Sequence, residues 1–141
     1  MVSFSIYLKK YNAMNIFLIC HDSLGQTLEK CVETSLGYPI EELSTIDVKY
    51  NDSLESVQIL IDALWMEKGQ PNELLALTDM RGASPSNALS IWLKTRGITY
   101  KGMTGVNLPM LICAVNHRNL PLAELYSKVE KAKDKSINEL D

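Results

Sequence analysis

His21 closes an apolar run, Asn15-Ile16-Phe17-Leu18-Ile19-Cys20, and is followed by Asp22-Ser23-Leu24-Gly25. An imidazole has two distinct ring nitrogens. When a carboxylate keeps the proton on one, the other presents a lone pair to an electrophile. Such a carboxylate stands in Asp79-Met80-Arg81-Gly82-Ala83-Ser84-Pro85-Ser86-Asn87, where Asp79 ends a second apolar run. Ser84 reads as a helix N-cap whose hydroxyl accepts from the backbone N–H of Ser86 or Asn87. Pro85 suits the first helical position, where no N–H is needed. Gly82 and Ala83 leave backbone N–H groups unshielded, and with the positive end of the helix dipole they make an anion site. A nucleophilic histidine, an orienting acid and a phosphate cradle are the parts that a phosphohistidine intermediate requires. Singly, each has a plainer reading. A strand-end histidine is commonly incidental, Ser-Pro commonly just starts a helix, and Asp79 reads equally as a solvated acid. Their joint placement favours chemistry.

That placement depends on the elements around them. Residues 15–20 are uncharged, rich in β-branched and aromatic types, and predict a buried strand. Leu24, Leu28, Cys31, Val32, Ser35 and Leu36 recur at helical spacing, with Gly37 as a C-terminal cap. Residues 43–48 predict a short strand. Asp52 and Glu55 suggest a capping box that opens a helix carrying Leu54, Val57, Leu60, Ile61 and Leu64 on one face. Residues 73–78 predict a third strand, 84–96 a helix closed by Gly97, and 98–106 a strand interrupted by Gly102 and Gly105. Residues 108–118 and 122–137 predict two further helices. The alternation implies an α/β fold: a doubly wound, mostly parallel sheet with helices on both faces and a flavodoxin-like strand order. The first and third strands then lie side by side, and His21 meets Asp79 at the switch point, where such sheets bind ligands.

The chain has 141 residues, 46% hydrophobic and 22% charged, the size and balance of one globular domain. Residues 14–141 read as that single domain. Residues 1–13 do not read as a signal peptide, since Lys9, Lys10 and Tyr11 follow the apolar residues. They read as an appended arm or an upstream start ahead of Met14. A net charge of −3 with no basic stripe argues against nucleic acid as a partner, and no apolar stretch approaches the ~20 residues of a membrane span. Cys20, Cys31 and Cys113 lack metal-ligand spacing and are odd in number, which points to buried thiols, a reducing cytoplasm and neither metal nor disulfide.

Three segments, Ile19-Cys20-His21, Thr78-Asp79-Met80-Arg81-Gly82-Ala83-Ser84-Pro85-Ser86-Asn87-Ala88 and Gly105-Val106-Asn107-Leu108-Pro109-Met110-Leu111, resemble in identity and order the IIA components of the mannose family of the phosphoenolpyruvate-dependent sugar phosphotransferase system (PTS). The resemblance spans about residues 14–129 and is close to stand-alone proteobacterial IIA proteins. It implies phosphorylation of His21 at Nε2, a ring held by Asp79, and a phosphoryl group contacted by Ser84 with nearby backbone amides. It also implies a histidine-containing phosphocarrier protein as donor, a IIB domain or regulatory target as acceptor, a homodimer, and no cofactor. Two positions depart from the family pattern. Arg81 stands where an aromatic is usual; it either forks onto phosphoryl oxygens or faces a partner from solvent. Asp22 stands where Gly is frequent, and its charge would repel a phosphoryl group unless, as strand alternation suggests, it points away.

Other residues attract plainer readings. Cys20 should face away from its neighbour His21 and be a buried thiol. Asn107 reads first as a loop-shaping residue and second as a site residue bordering the same crevice. His117 reads as a surface residue, Met80, Met103 and Met110 as core or rim, and Trp65 and Trp92 as core. A receiver-like module with Asp79 as phosphoacceptor and no transferase activity is the alternative, weakened because Asp22 is a lone acid where a pair is expected. An interaction domain with a vestigial site is a third reading.

Overall fold

The computed structural model describes residues 13–141. The expectation for residues 1–13 therefore lies, apart from Ala13, outside the described residues. In chain order the elements are β1 (Asn15–His21), α1 (Leu24–Leu36), β2 (Leu43–Val48), α2 (Leu54–Glu67), β3 (Glu73–Thr78), α3 (Ser84–Arg96), β4 (Thr99–Met103), α4 (Leu108–Asn116) and α5 (Leu122–Lys135). The four strands form one parallel sheet in the order β2-β1-β3-β4. This is the doubly wound arrangement expected from the alternation, with β1 between β2 and β3.

Strand alternation splits the core in two. Ile16, Leu18 and Cys20 of β1 and Leu75 and Leu77 of β3 face α1, α4 and α5, packing on Val32, Met110, Leu111, Ala114 and Leu125. Phe17 and Ile19 of β1 and Leu74 and Ala76 of β3 face α2 and α3, packing on Val57, Ile61, Leu89 and Trp92. Both central strands are thus buried on two sides, which explains their unbroken apolar sequences. Cys20 is buried on the α1 side, as alternation predicts. Phe17 is fully buried and stacks on Trp92 with ring centroids 6.2 Å apart.

Local details depart from expectation. The N-cap of α2 is Ser53, whose side chain accepts from Ser56 N–H at 3.0 Å. Asp52 instead accepts from Lys49 N–H at 2.8 Å and shapes the preceding turn, so the Asp52–Glu55 box is replaced by a cap one residue later. β4 is shorter than 98–106, because Gly105 (φ 78°) turns the chain away and Val106 N–H bonds Thr78 O at 3.0 Å. The last two helices stop at Asn116 and Lys135. Cys31 is exposed on α1 and Cys113 half-buried, so only Cys20 is the buried thiol expected of all three. Trp92 is core, Trp65 is half-buried at its rim and donates to Pro71 O at 2.9 Å, and His117 is the half-buried C-cap of α4.

The two-sided core makes a quantitative expectation. Phe17→Ala removes a fully buried ring from the centre of the α2–α3 face and should cost about 3–5 kcal/mol in urea unfolding. A loss below about 1 kcal/mol would show that the face repacks without it.

Candidate active site

β1 and β3 are adjacent and parallel, with Ile19 paired to Thr78. Their carboxyl ends therefore project His21 and Asp79 into one crevice. His21 Nδ1 lies 2.7 Å from Asp79 Oδ2, and the backbone N–H of His21 donates to the same oxygen at 3.0 Å. The histidine side chain is 46% exposed, whereas that of Asp79 is 10% exposed. Burial alone would push the Asp79 carboxyl up. The two hydrogen bonds from His21, and the attraction of its ring, outweigh burial and hold it below its ordinary 3.8. Asp79 is therefore ionised near neutral pH, and an ionised carboxylate only accepts. Nδ1 must carry the proton in this contact, which leaves Nε2 of the neutral ring as the lone-pair nitrogen.

The segment after Asp79 turns through Gly82, whose φ of 80° suits a residue without Cβ, and then enters α3. Ser84 is not the cap that the sequence suggests. Ala83, in extended conformation, is the N-cap and has no side-chain cap bond, and Ser84 is the first helical residue. The register is set by Ala83 O, which accepts from Asn87 N–H at 3.0 Å and from the Ser86 hydroxyl at 3.0 Å. Asn87 Nδ2 donates to Gly82 O at 3.1 Å. The start of α3 thus has an exposed Ser84 hydroxyl and N–H groups without a side-chain acceptor, the features an anion site needs.

The remaining candidates fall in different places. Asp22 lies beyond β1, in the turn, so strand alternation does not orient it; it is exposed, and its N–H donates to Val48 O at 3.0 Å. Arg81 is exposed and forms no ion pair among the described residues. It lines a groove of about 370 Å³ between α3 and β4 with Thr78, Ser86, Tyr100 and Thr104. Asn107 caps α4, accepting from Met110 N–H at 3.1 Å, and its amide donates to Ser136 Oγ at 3.0 Å. It shapes the loop and has no bond to His21 or Asp79. Met80 is 56% exposed, Met103 half-buried and Met110 buried.

Asp47 was not singled out by sequence. It reaches from β2 to the start of α1, where Oδ1 accepts from Gly25 N–H at 2.9 Å and Oδ2 from Gln26 N–H at 3.3 Å. An acid near the end of a predicted strand is the only signal, and it does not reveal that contact. Burial chiefly pushes the Asp47 carboxyl up, the two amides oppose this, and the charges of Asp22 and Asp79 add to the rise. Cys20, also beside these acids, is pushed up to about 12, mainly by burial, and is no nucleophile near neutral pH.

Among the described residues no helix is long and apolar enough to cross a membrane. The family model described as "PTS system fructose IIA component" (EIIA-man) matches residues 15–132. A search of curated proteins gives no significant match. Among solved structures, the phosphotransferase system component EIIA from Streptococcus agalactiae is 26% identical at a TM-score of 0.79, with 89% of this chain and 96% of that one covered. The mannose/sorbose specific IIA subunit from Enterococcus faecalis is 19% identical at 0.80, covering 92% and 96%. The PTS IIA protein associated with the fucose utilization operon of Streptococcus pneumoniae is 18% identical at 0.74, covering 89% and 93%. The latter two likenesses bear on the fold. The family match spans most of the chain, including β1, β3 and the start of α3: the protein belongs to the mannose-type IIA family and is a phosphoryl-transfer component of the sugar phosphotransferase system.

Proposed function

We propose that His21 accepts a phosphoryl group on Nε2 from a histidine-containing phosphocarrier protein and passes it to a IIB domain or regulatory target. The Nε2 lone pair forms the new N–P bond as the donor's N–P bond breaks, and that electron pair returns to the donor nitrogen. Onward transfer reverses these roles. Little covalent work is asked of the protein, so positioning and charge stabilisation supply the rate. The single observation that carries this reading is the 2.7 Å contact between His21 Nδ1 and a nearly buried, ionised Asp79, with the ring itself half exposed. Asp79 fixes the tautomer, aims the ring and stabilises the positive charge that the ring gains on phosphorylation. Gly82, Ala83 and Ser84 supply the cradle for the phosphoryl oxygens. Arg81, exposed beside Thr78 and without an acidic partner in its groove, faces the docking protein.

A receiver-like role for Asp79 as phosphoacceptor is disfavoured, because its Oδ2 already accepts two hydrogen bonds from His21. The family setting supports a protein working in the cytoplasm, as a homodimer.

Incubation with phosphoenolpyruvate, the first-step enzyme of the system and the phosphocarrier should label the wild type with one acid-labile, alkali-stable phosphoryl group. His21→Ala should take up none; equal labelling of that variant would remove His21 from the reaction. Asp79→Asn should label about a hundredfold more slowly, the scale expected when a reacting group is misplaced by about 1 Å. Arg81→Trp should alter the phosphocarrier concentration giving half-maximal rate and leave the maximal rate unchanged, and no change in either would end the docking role.

Acid sensitivity gives a separate check. The folded chain holds the Asp79 proton less tightly than the unfolded chain, so Asp79 contributes stability above its ordinary 3.8 that is lost as pH falls through the lower folded value. Asp79→Asn should therefore lose less stability than wild type on acidification below about pH 4. Parallel pH–stability curves for the two proteins would contradict the depressed carboxyl.

A further inference from the structure

Two helices begin beside the His21–Asp79 pair: α1 at Leu24, just after His21, and α3 at Ser84, just after Asp79. Each N-terminus offers unbonded N–H groups and a positive partial charge. On sequence and dipole alone, both compete for a phosphoryl group on His21. They differ in what already occupies them. At α1 the positional cap Ser23 makes no side-chain bond, and the amides of Gly25 and Gln26 are held by the Asp47 carboxylate, at 2.9 and 3.3 Å. At α3 no side chain caps the helix.

The contact at α1 is built to close tolerance. Gly25 is buried, and a Cβ placed on it would stand 2.5 Å from Asp47 Oδ1. Only glycine leaves room for the carboxylate. Asp47 itself pairs with Cys20 across β1 and β2, one residue before His21 in register. Its carboxylate is anchored to the sheet that carries the histidine.

Resting on the reading that His21 is phosphorylated, we propose that Asp47 is a positioning residue for phosphoryl transfer: by filling the N-terminus of α1 it leaves the start of α3 as the seat of the phosphoryl oxygens. Asp47 makes no bond with the ring, and the N–P bond forms and breaks as described above. What it decides is where the oxygens of the transferred group settle.

The test uses the full chain. In Asp47→Ala the freed Gly25 and Gln26 amides take up anions, so labelling by the phosphorylated phosphocarrier should slow about tenfold, and inorganic phosphate should inhibit it at about tenfold lower concentration. Asp47→Asn, which keeps an acceptor oxygen, should fall between wild type and Asp47→Ala in both. Gly25→Ala should mimic Asp47→Ala by displacing the carboxylate. In the wild type, titration with inorganic phosphate should shift the amide NMR signals of Gly82, Ala83 and Ser84 and leave those of Gly25 and Gln26 unmoved. A folded Asp47→Ala protein with unchanged rate and unchanged phosphate inhibition overturns the proposal, as do phosphate-induced shifts at Gly25 and Gln26 in the wild type. An unlabelled wild type strikes instead at phosphorylation of His21, and the wild-type titration still decides which helix end takes the anion.

Discussion

The contact between His21 and Asp79 depends on β1 and β3 being neighbours, and nearly everything else in the fold serves that adjacency. Sequential strands would pair β1 with β2 alone. Here β1 also pairs with β3, and the crossovers through α1 and α2, right-handed as parallel connections are, bring two strand ends distant in sequence together. Both strands are rigid because both faces of each are buried. The Asp79 carboxylate accepts from the ring and from the backbone N–H of the same residue. The ring is therefore held relative to its own main chain: its rotation costs the Nδ1 hydrogen bond to a charged acceptor, stronger than a neutral bond, while the backbone N–H keeps that acceptor in place.

Exposure divides the labour between the two residues. Asp79 is largely withdrawn from water, so its hydrogen bonds are little screened and keep their strength. His21 is half exposed, so its other ring edge is open to a reactant carried by another protein. A fully buried histidine cannot meet a protein-bound phosphoryl group. A fully exposed one has no fixed tautomer. The end of a parallel strand, where the last side chain leaves the core, provides both conditions at one residue.

Much of this was legible in the chain. The apolar runs of 15–20 and 73–78 gave the two central strands, because a strand buried on both faces has no polar alternation to obscure it. His21 and Asp79 then followed from the rule that parallel sheets bind ligands at their carboxyl ends. Misreadings cluster where one residue of register decides the outcome. Ser84 and Asp52 are both good cap types. Yet the backbone placed Ala83 at the cap of α3 and Ser53 at that of α2, because the preceding turns fix which carbonyl starts the helix. Asp47 was invisible for a different reason. Its partners, Gly25 and Gln26, lie on another element, and no local pattern in 43–48 encodes a bond across the sheet edge. Cys31 was assigned to the core by helical spacing, but α1 packs through Gly25 and Val32 and leaves Cys31 in solvent.

The crevice holds three aspartates near a residue proposed to carry a dianionic group, which at first sight opposes that role. The hydrogen bonds answer part of the objection. Asp79 is engaged by two donors of His21, and Asp47 by two helix amides carrying positive partial charge. The donors satisfy the lone pairs of each carboxylate and aim partial positive charge at it, which softens its field without cancelling its negative charge. Asp22 has no such compensation, but it is exposed, and solvent and salt screen it. On the far side, the Arg81 groove contains no acidic lining residue. An incoming phosphoryl group therefore meets two hydrogen-bonded carboxylates and one solvent-screened carboxylate, with one guanidinium and the uncapped start of α3 set against them. The N–H groups and dipole at the start of α3 carry the role of a basic contact, since among the described residues no Lys or Arg hydrogen-bonds to His21 or ion-pairs near it.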